Sequence, residues 1–60
     1  MMMQPDEMKA LRVSAGLTQA GLADAIGMTR VSVGLMERGQ APIEKRTELA
    51  VRYVALTAAK

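Results

Sequence analysis

The sequence predicts an all-α fold, a compact bundle of four to five helices in one domain over 1–60. Apolar residues recur at three- and four-residue spacing in short blocks, and glycine or proline stands at the block ends. Nowhere do apolar and polar residues alternate as a half-buried strand requires, and there is no internal repeat, linker or low-complexity tract.

The first helix is predicted over about 5–15. Pro5 suits a first helical position, Asp6 and Glu7 complement the positive end of the helix dipole, and Met8, Leu11 and Ala15 follow at helical spacing before Gly16. The second covers about 19–26, with Thr18 as N-cap, an apolar stripe of Leu22, Ala23 and Ile26, and Gly27 ending it in a left-handed conformation. The third covers about 30–38, capped by Thr29, with Val33 and Met36 on one face and Gly39 as terminator. After Gln40, Ala41 and Pro42 a fourth helix runs from Glu44 to about Ala58. On it Leu49, Tyr53 and Leu56 share one face while Val51, Val54, Ala55 and Ala58 cover an adjacent one. That apolar stripe is broader than one small core needs, so Val51, Val54, Ala55 and Ala58 are the candidate dimer interface, the competing reading being that this face only covers helix one within the monomer.

Composition narrows the function classes. A chain of 60 residues buries only about 60% of the surface its unfolded form exposes, which leaves marginal stability and no room for a large ligand cavity. Half the residues are hydrophobic but Tyr53 is the only aromatic one, so the core must be aliphatic. With no cysteine and no histidine there is no disulfide, no usual zinc ligand set and neither of the commonest catalytic groups, so no enzyme, metal or cofactor is expected. A net charge of +2 and a pI near 9.5 permit a polyanionic partner. The start of the chain, Met1 to Glu7, lacks the basic and apolar runs of a secretory leader, and no stretch reaches the length of a membrane span.

One constellation carries more. Two short helices joined by a tight turn cross steeply only if particular positions are small, apolar or glycine. Counting from Gln19, Ala23 supplies the small residue where the next helix approaches, Gly27 stands where the chain reverses, and Leu22, Ile26, Met28, Val33 and Met36 fall at the inward positions. Each is weak evidence alone; together, at these offsets, they define a helix-turn-helix over 18–38 in which Met28 and Met36 fill core. Gly21 and Gly34 each weaken a helix interior by about 1 kcal/mol relative to Ala, which calls for a close neighbour at both.

Leu17-Thr18-Gln19-Ala20 with Leu22-Ala23, then Gly27-Met28-Thr29, then Met36-Glu37-Arg38-Gly39, resembles the Cro and phage-repressor helix-turn-helix regulators, including the xenobiotic-response-element-like proteins. The likeness covers roughly residues 8–57. It implies a lambda-repressor-like domain whose third helix enters the major groove of double-stranded DNA while the second braces the backbone. Carried over, Thr18 and Gln19 meet a phosphate, and Thr29, Arg30, Val31, Ser32 and Leu35 occupy the groove face. Arg30 is the chief candidate for guanine and Val31 for a thymine methyl, while Arg38, Lys45 and Arg46 lie by the backbone. The resemblance also pairs Glu37 with Arg12 as a structural ion pair. Its functional implication is a dimeric repressor or autoregulator occluding a palindromic operator, in the cytoplasm and nucleoid of a bacterium or a phage host. An antitoxin-like protein-interaction module and a structural fragment of a larger assembly are the alternatives. Val31, Gly34 and Leu35 depart from the usual polar reading face, which leaves few side chains for hydrogen-bonded readout.

Overall fold

A computed structural model describes residues 3–58, with four helices and no strand among them: α1 (Pro5–Ser14), α2 (Gln19–Ile26), α3 (Arg30–Glu37) and α4 (Lys45–Ala58). The boundaries follow from capping chemistry. Pro5 opens α1, and Asp6 and Glu7 occupy its first turn. The helix stops one residue before the predicted end, with Ala15 as cap and Gly16 taking φ of 75°. At α2 the Thr18 hydroxyl accepts the Gly21 N–H at 3.0 Å. Its other end closes through Gly27 at φ 72°, with Met28 N–H donating back to the Ala23 carbonyl at 2.8 Å. Only glycine adopts that left-handed geometry without strain, so Gly27 sets where the chain can turn into α3.

Thr29 repeats the device, its hydroxyl oxygen accepting the Ser32 N–H at 3.1 Å. Arg38 is the C-cap of α3 rather than its last residue, and Gln40 N–H closes the end on the Leu35 carbonyl at 2.9 Å. Since α3 is only eight residues long, it depends on its cap and its packing more than on intrinsic propensity. Thr29→Ala should cost about 1 kcal/mol and Thr29→Ser almost nothing. Thermal melts of the two variants check this, and equal melting points would assign the cap no energetic role.

The core is aliphatic throughout. Met3, Met8, Leu22, Ala23, Val33, Met36, Ile43 and Val51 are buried together, with Leu11, Leu17, Ile26, Ala41 and Val54 packed around them. Met28 lies at the margin, 36% exposed, and so does not fill core as its offset suggested. It is the first residue after the Gly27 reversal, where the chain passes over the surface.

The fourth helix corrects the sequence reading most. It buries Thr47, Glu48 and Val51, with Val54 half-buried behind them, and turns Leu49 (56% exposed), Tyr53 (67%) and Leu56 (71%) outward. Val51 is 1% exposed and belongs to the core of its own chain, so it cannot be an interface residue. Ala55 is half-buried and Ala58 exposed. Apolar residues on almost every side of α4 let the spacing fit either face inward, and the face that packs carries Thr47, Glu48 and Val51. The Arg52 guanidinium donates from Nε to Glu48 Oε2 at 2.9 Å and from Nη2 to Glu7 Oε2 at 2.9 Å, tying α4 to the first turn of α1. The hydrogen bond from Arg52, opposed by burial and helped by the Lys45 charge, holds the Glu48 carboxyl below its ordinary range. No described helix is long and apolar enough to cross a membrane.

Candidate nucleic-acid interface

The N-terminus of α2 and the outward face of α3 lie side by side, and a three-residue polar network fixes them. Arg12 on α1 grips Glu37 with two parallel bonds, Nε to Oε2 at 2.8 Å and Nη2 to Oε1 at 3.1 Å. The same guanidinium donates from Nη1 to the Leu17 carbonyl at 3.0 Å, holding the segment that leads into α2. Gln19 completes the network, its Nε2 donating to Glu37 Oε1 at 3.2 Å. Both ends of the ion pair are mostly buried, with 12% of the Arg12 side chain and 4% of the Glu37 side chain exposed.

Burial pushes the Glu37 carboxyl up, but the hydrogen bonds from Arg12 and Gln19 and the charges of Arg12 and Lys9 together outweigh it, so the group sits below its ordinary value of 4.5. A depressed carboxylate contributes stability above its unfolded pKa and loses it as pH falls through the folded one. Wild type should therefore be more stable than Glu37→Gln at pH 7, by about 2 kcal/mol for a charge-assisted network. The gap should close below about pH 4. Denaturation at pH 7 and pH 3 measures it, and a gap that does not change with pH would remove the carboxylate charge as the cause.

Thr18 is exposed and has its oxygen committed to the Gly21 N–H. A Cβ on Gly21 would come within 3.3 Å of that same hydroxyl oxygen, so the close neighbour the glycine implied is the cap itself. Gln19 is half-buried and one of its two amide N–H donors is used inside the protein. A carboxylate only accepts, so Gln19 must offer its nitrogen to Glu37 and turn its Oε1 outward, toward Gly34. One of its two amide N–H groups is thus spent on Glu37 and the other is left for the expected phosphate contact.

On α3, Arg30 and Val31 are exposed and Ser32 and Leu35 half-buried. The Thr29 hydroxyl donates to Ser32 Oγ at 3.1 Å, which leaves the Ser32 proton as the free donor of that pair. Arg30 has no ion pair or side-chain hydrogen bond among the described residues. Arg38 is exposed, with Nε donating to Gln40 Oε1 at a long 3.4 Å, and its Nη1 lies 3.2 Å from where a Cβ on Gly34 would stand. The cations at the start of α4 stand beside acids instead: Arg46 Nε is 3.1 Å from Glu44 and Lys45 Nζ 3.9 Å from Glu48. Arg46 shares a shallow cleft with Ile26, Gly27 and Met28, and Ser32 and Leu35 share the next one with Glu44. The sequence reading passed over Glu44, Gln40 and the Arg38–Gly34 contact. The signal for the last was an arginine four residues after a helical glycine.

No curated protein shows significant similarity to the chain. The model of a helix-turn-helix domain matches residues 6–59, spanning all four helices. The cap at Thr18, the left-handed Gly27, the exposed third helix and this match agree: the chain belongs to the helix-turn-helix domain family, a family of DNA-binding modules.

Proposed function

We propose that the protein is a sequence-specific transcriptional regulator of the Cro and phage-repressor type, acting as a dimer that occludes a palindromic operator. The supporting observation is the outward face of α3. Arg30 and Val31 stand in solvent with no part in the fold, beside an α2 start locked in place through Gln19, Glu37 and Arg12. A guanidinium can bond both acceptors of guanine and a valine can pack on a thymine methyl, which is direct readout in the major groove. Thr18 and the free N–H groups at the start of α2 face a phosphate, and Lys45 and Arg46 give weaker backbone contacts because Glu48 and Glu44 offset them. Selection of bound duplexes from random DNA tests this directly. Enrichment of a palindrome with half-site centres about 34 Å apart is expected. Recovery of no preferred sequence would refute it.

The dimer forms through Leu49, Tyr53 and Leu56, at four- and three-residue spacing along the exposed side of α4, not through Val51. A shallow groove between α1 and α4, lined by Leu11, Ser14, Arg52, Ala55 and Leu56, borders that stripe. Three side chains are few for the roughly 800 Å² per partner of a standard interface, so the dimer is weak in solution and completed on adjacent half-sites. Leu56→Asp should leave the melting point within a few degrees and abolish cooperative binding to the palindrome while single half-site binding persists. Cooperativity that survives the substitution would place the interface elsewhere.

A further inference from the structure

The seat of Arg38 on Gly34 gives that arginine a role beyond bracing the DNA backbone. Arg38 follows the last turn of α3, but its side chain runs back along the helix, as helical side chains do, and its Nη1 and Cζ lie over Gly34, 3.2 Å and 3.9 Å from an ideal Cβ there. That is one turn, about 5.4 Å, nearer the middle of the reading face than its own Cα. Gly34 is buried, although it faces outward, because Arg38 and Gln19 cover it. The Gln19 Oε1, turned outward by the Glu37 network, lies 3.7 Å from the same point. Gln40 takes the Nε edge, so Nη1 and Nη2 are free among the described residues.

We infer that Arg38, seated on Gly34, is a second base-reading residue, with its two terminal nitrogens directed at O6 and N7 of a guanine. The inference rests on the DNA-binding reading above and deepens it. A β-carbon at position 34 would stand 3.2 Å from Nη1, so the guanidinium must give by a few tenths of an ångström to admit one. Arg38 supplies hydrogen-bonded readout to a face that Val31 and Leu35 leave poor in it.

Three variants and quantitative binding to the selected operator and its single-base changes test the assignment. Arg38→Ala and Arg38→Lys should each lower the preference for one base pair per half-site by about tenfold or more, since lysine lacks the planar fork. Gly34→Ala should relax that same base pair with the charge retained. The fold should tolerate it, because the displaced atoms are the flexible end of a side chain and alanine favours helix. Uniform weakening across all sequences in Arg38→Ala, with a salt slope shallower by about 1, would make Arg38 a phosphate contact and overturn the inference. So would a Gly34→Ala protein with unchanged preferences. If wild type selects no sequence at all, the DNA-binding reading itself has failed, an outcome distinct from both.

Discussion

Arg12→Ala is expected to cost about 3 kcal/mol, the lower end of what breaking a buried ion pair costs, because the guanidinium keeps some contact with water. Three bonds go at once: the two to Glu37 and the one to the Leu17 carbonyl. Glu37, with 4% of its side chain exposed, would retain only the Gln19 amide to offset a full charge. For a chain of this length total stability is on the order of 3–9 kcal/mol, so the variant should lose between about a third and all of it. At roughly 4–8 °C per kcal/mol the melting point should fall by more than about 12 °C. Replacing both partners with apolar residues, as in Arg12→Met with Glu37→Leu, should recover much of the loss, since the penalty lies in the stranded charge and not in the missing attraction. A melting point for Arg12→Ala within about 4 °C of wild type would reduce the pair to a solvated contact.

Much of this architecture was legible because capping is local. Thr18, Gly27 and Thr29 act within four residues of themselves, so α2 begins and ends, and α3 begins, where the sequence places them. The inward set of Leu22, Ala23, Val33 and Met36 was legible for the same reason, being short stripes on helices with only one apolar face. The fourth helix was not. Leu49, Val51, Tyr53, Val54 and Leu56 surround its axis, and periodicity cannot choose between faces that are both apolar. Which face packs depends on contacts made across the fold, among them Arg52 to Glu7 at a separation of 45 residues, and no local pattern reports these. Gln19 was legible only in part: the resemblance gives it a phosphate, while the tie of one amide N–H to Glu37, 18 residues away, shows in no local pattern. Arg38 escaped because an arginine four residues after a helical glycine is a local signal for the contact but does not by itself give the direction of so long a side chain.

Arg30→Ala is the second large effect, and its sign on stability separates it from every substitution in the core. Arg30 is the first residue of α3, where the helix dipole is positive, and it is exposed without a partner among the described residues. A cation there opposes the dipole, so alanine should leave the fold unharmed or raise stability by a few tenths of a kcal/mol. Operator discrimination should move the opposite way. Loss of a bidentate guanine contact removes about 1–3 kcal/mol of preference at one base pair, roughly fivefold to 150-fold in relative affinity. The affected base pair should differ from the one Arg38 reads, because a full turn of α3 separates Arg30 from Gly34. A melt and a set of single-base operator variants, measured on one preparation, give both numbers. Should binding weaken alike on every sequence, with a salt slope shallower by about 1, Arg30 grips phosphate instead. Base recognition would then fall to Arg38, Ser32 and the apolar contact of Val31. A residue that stabilises nothing in its own chain and alters selectivity when removed is one whose energetic role lies in the complex.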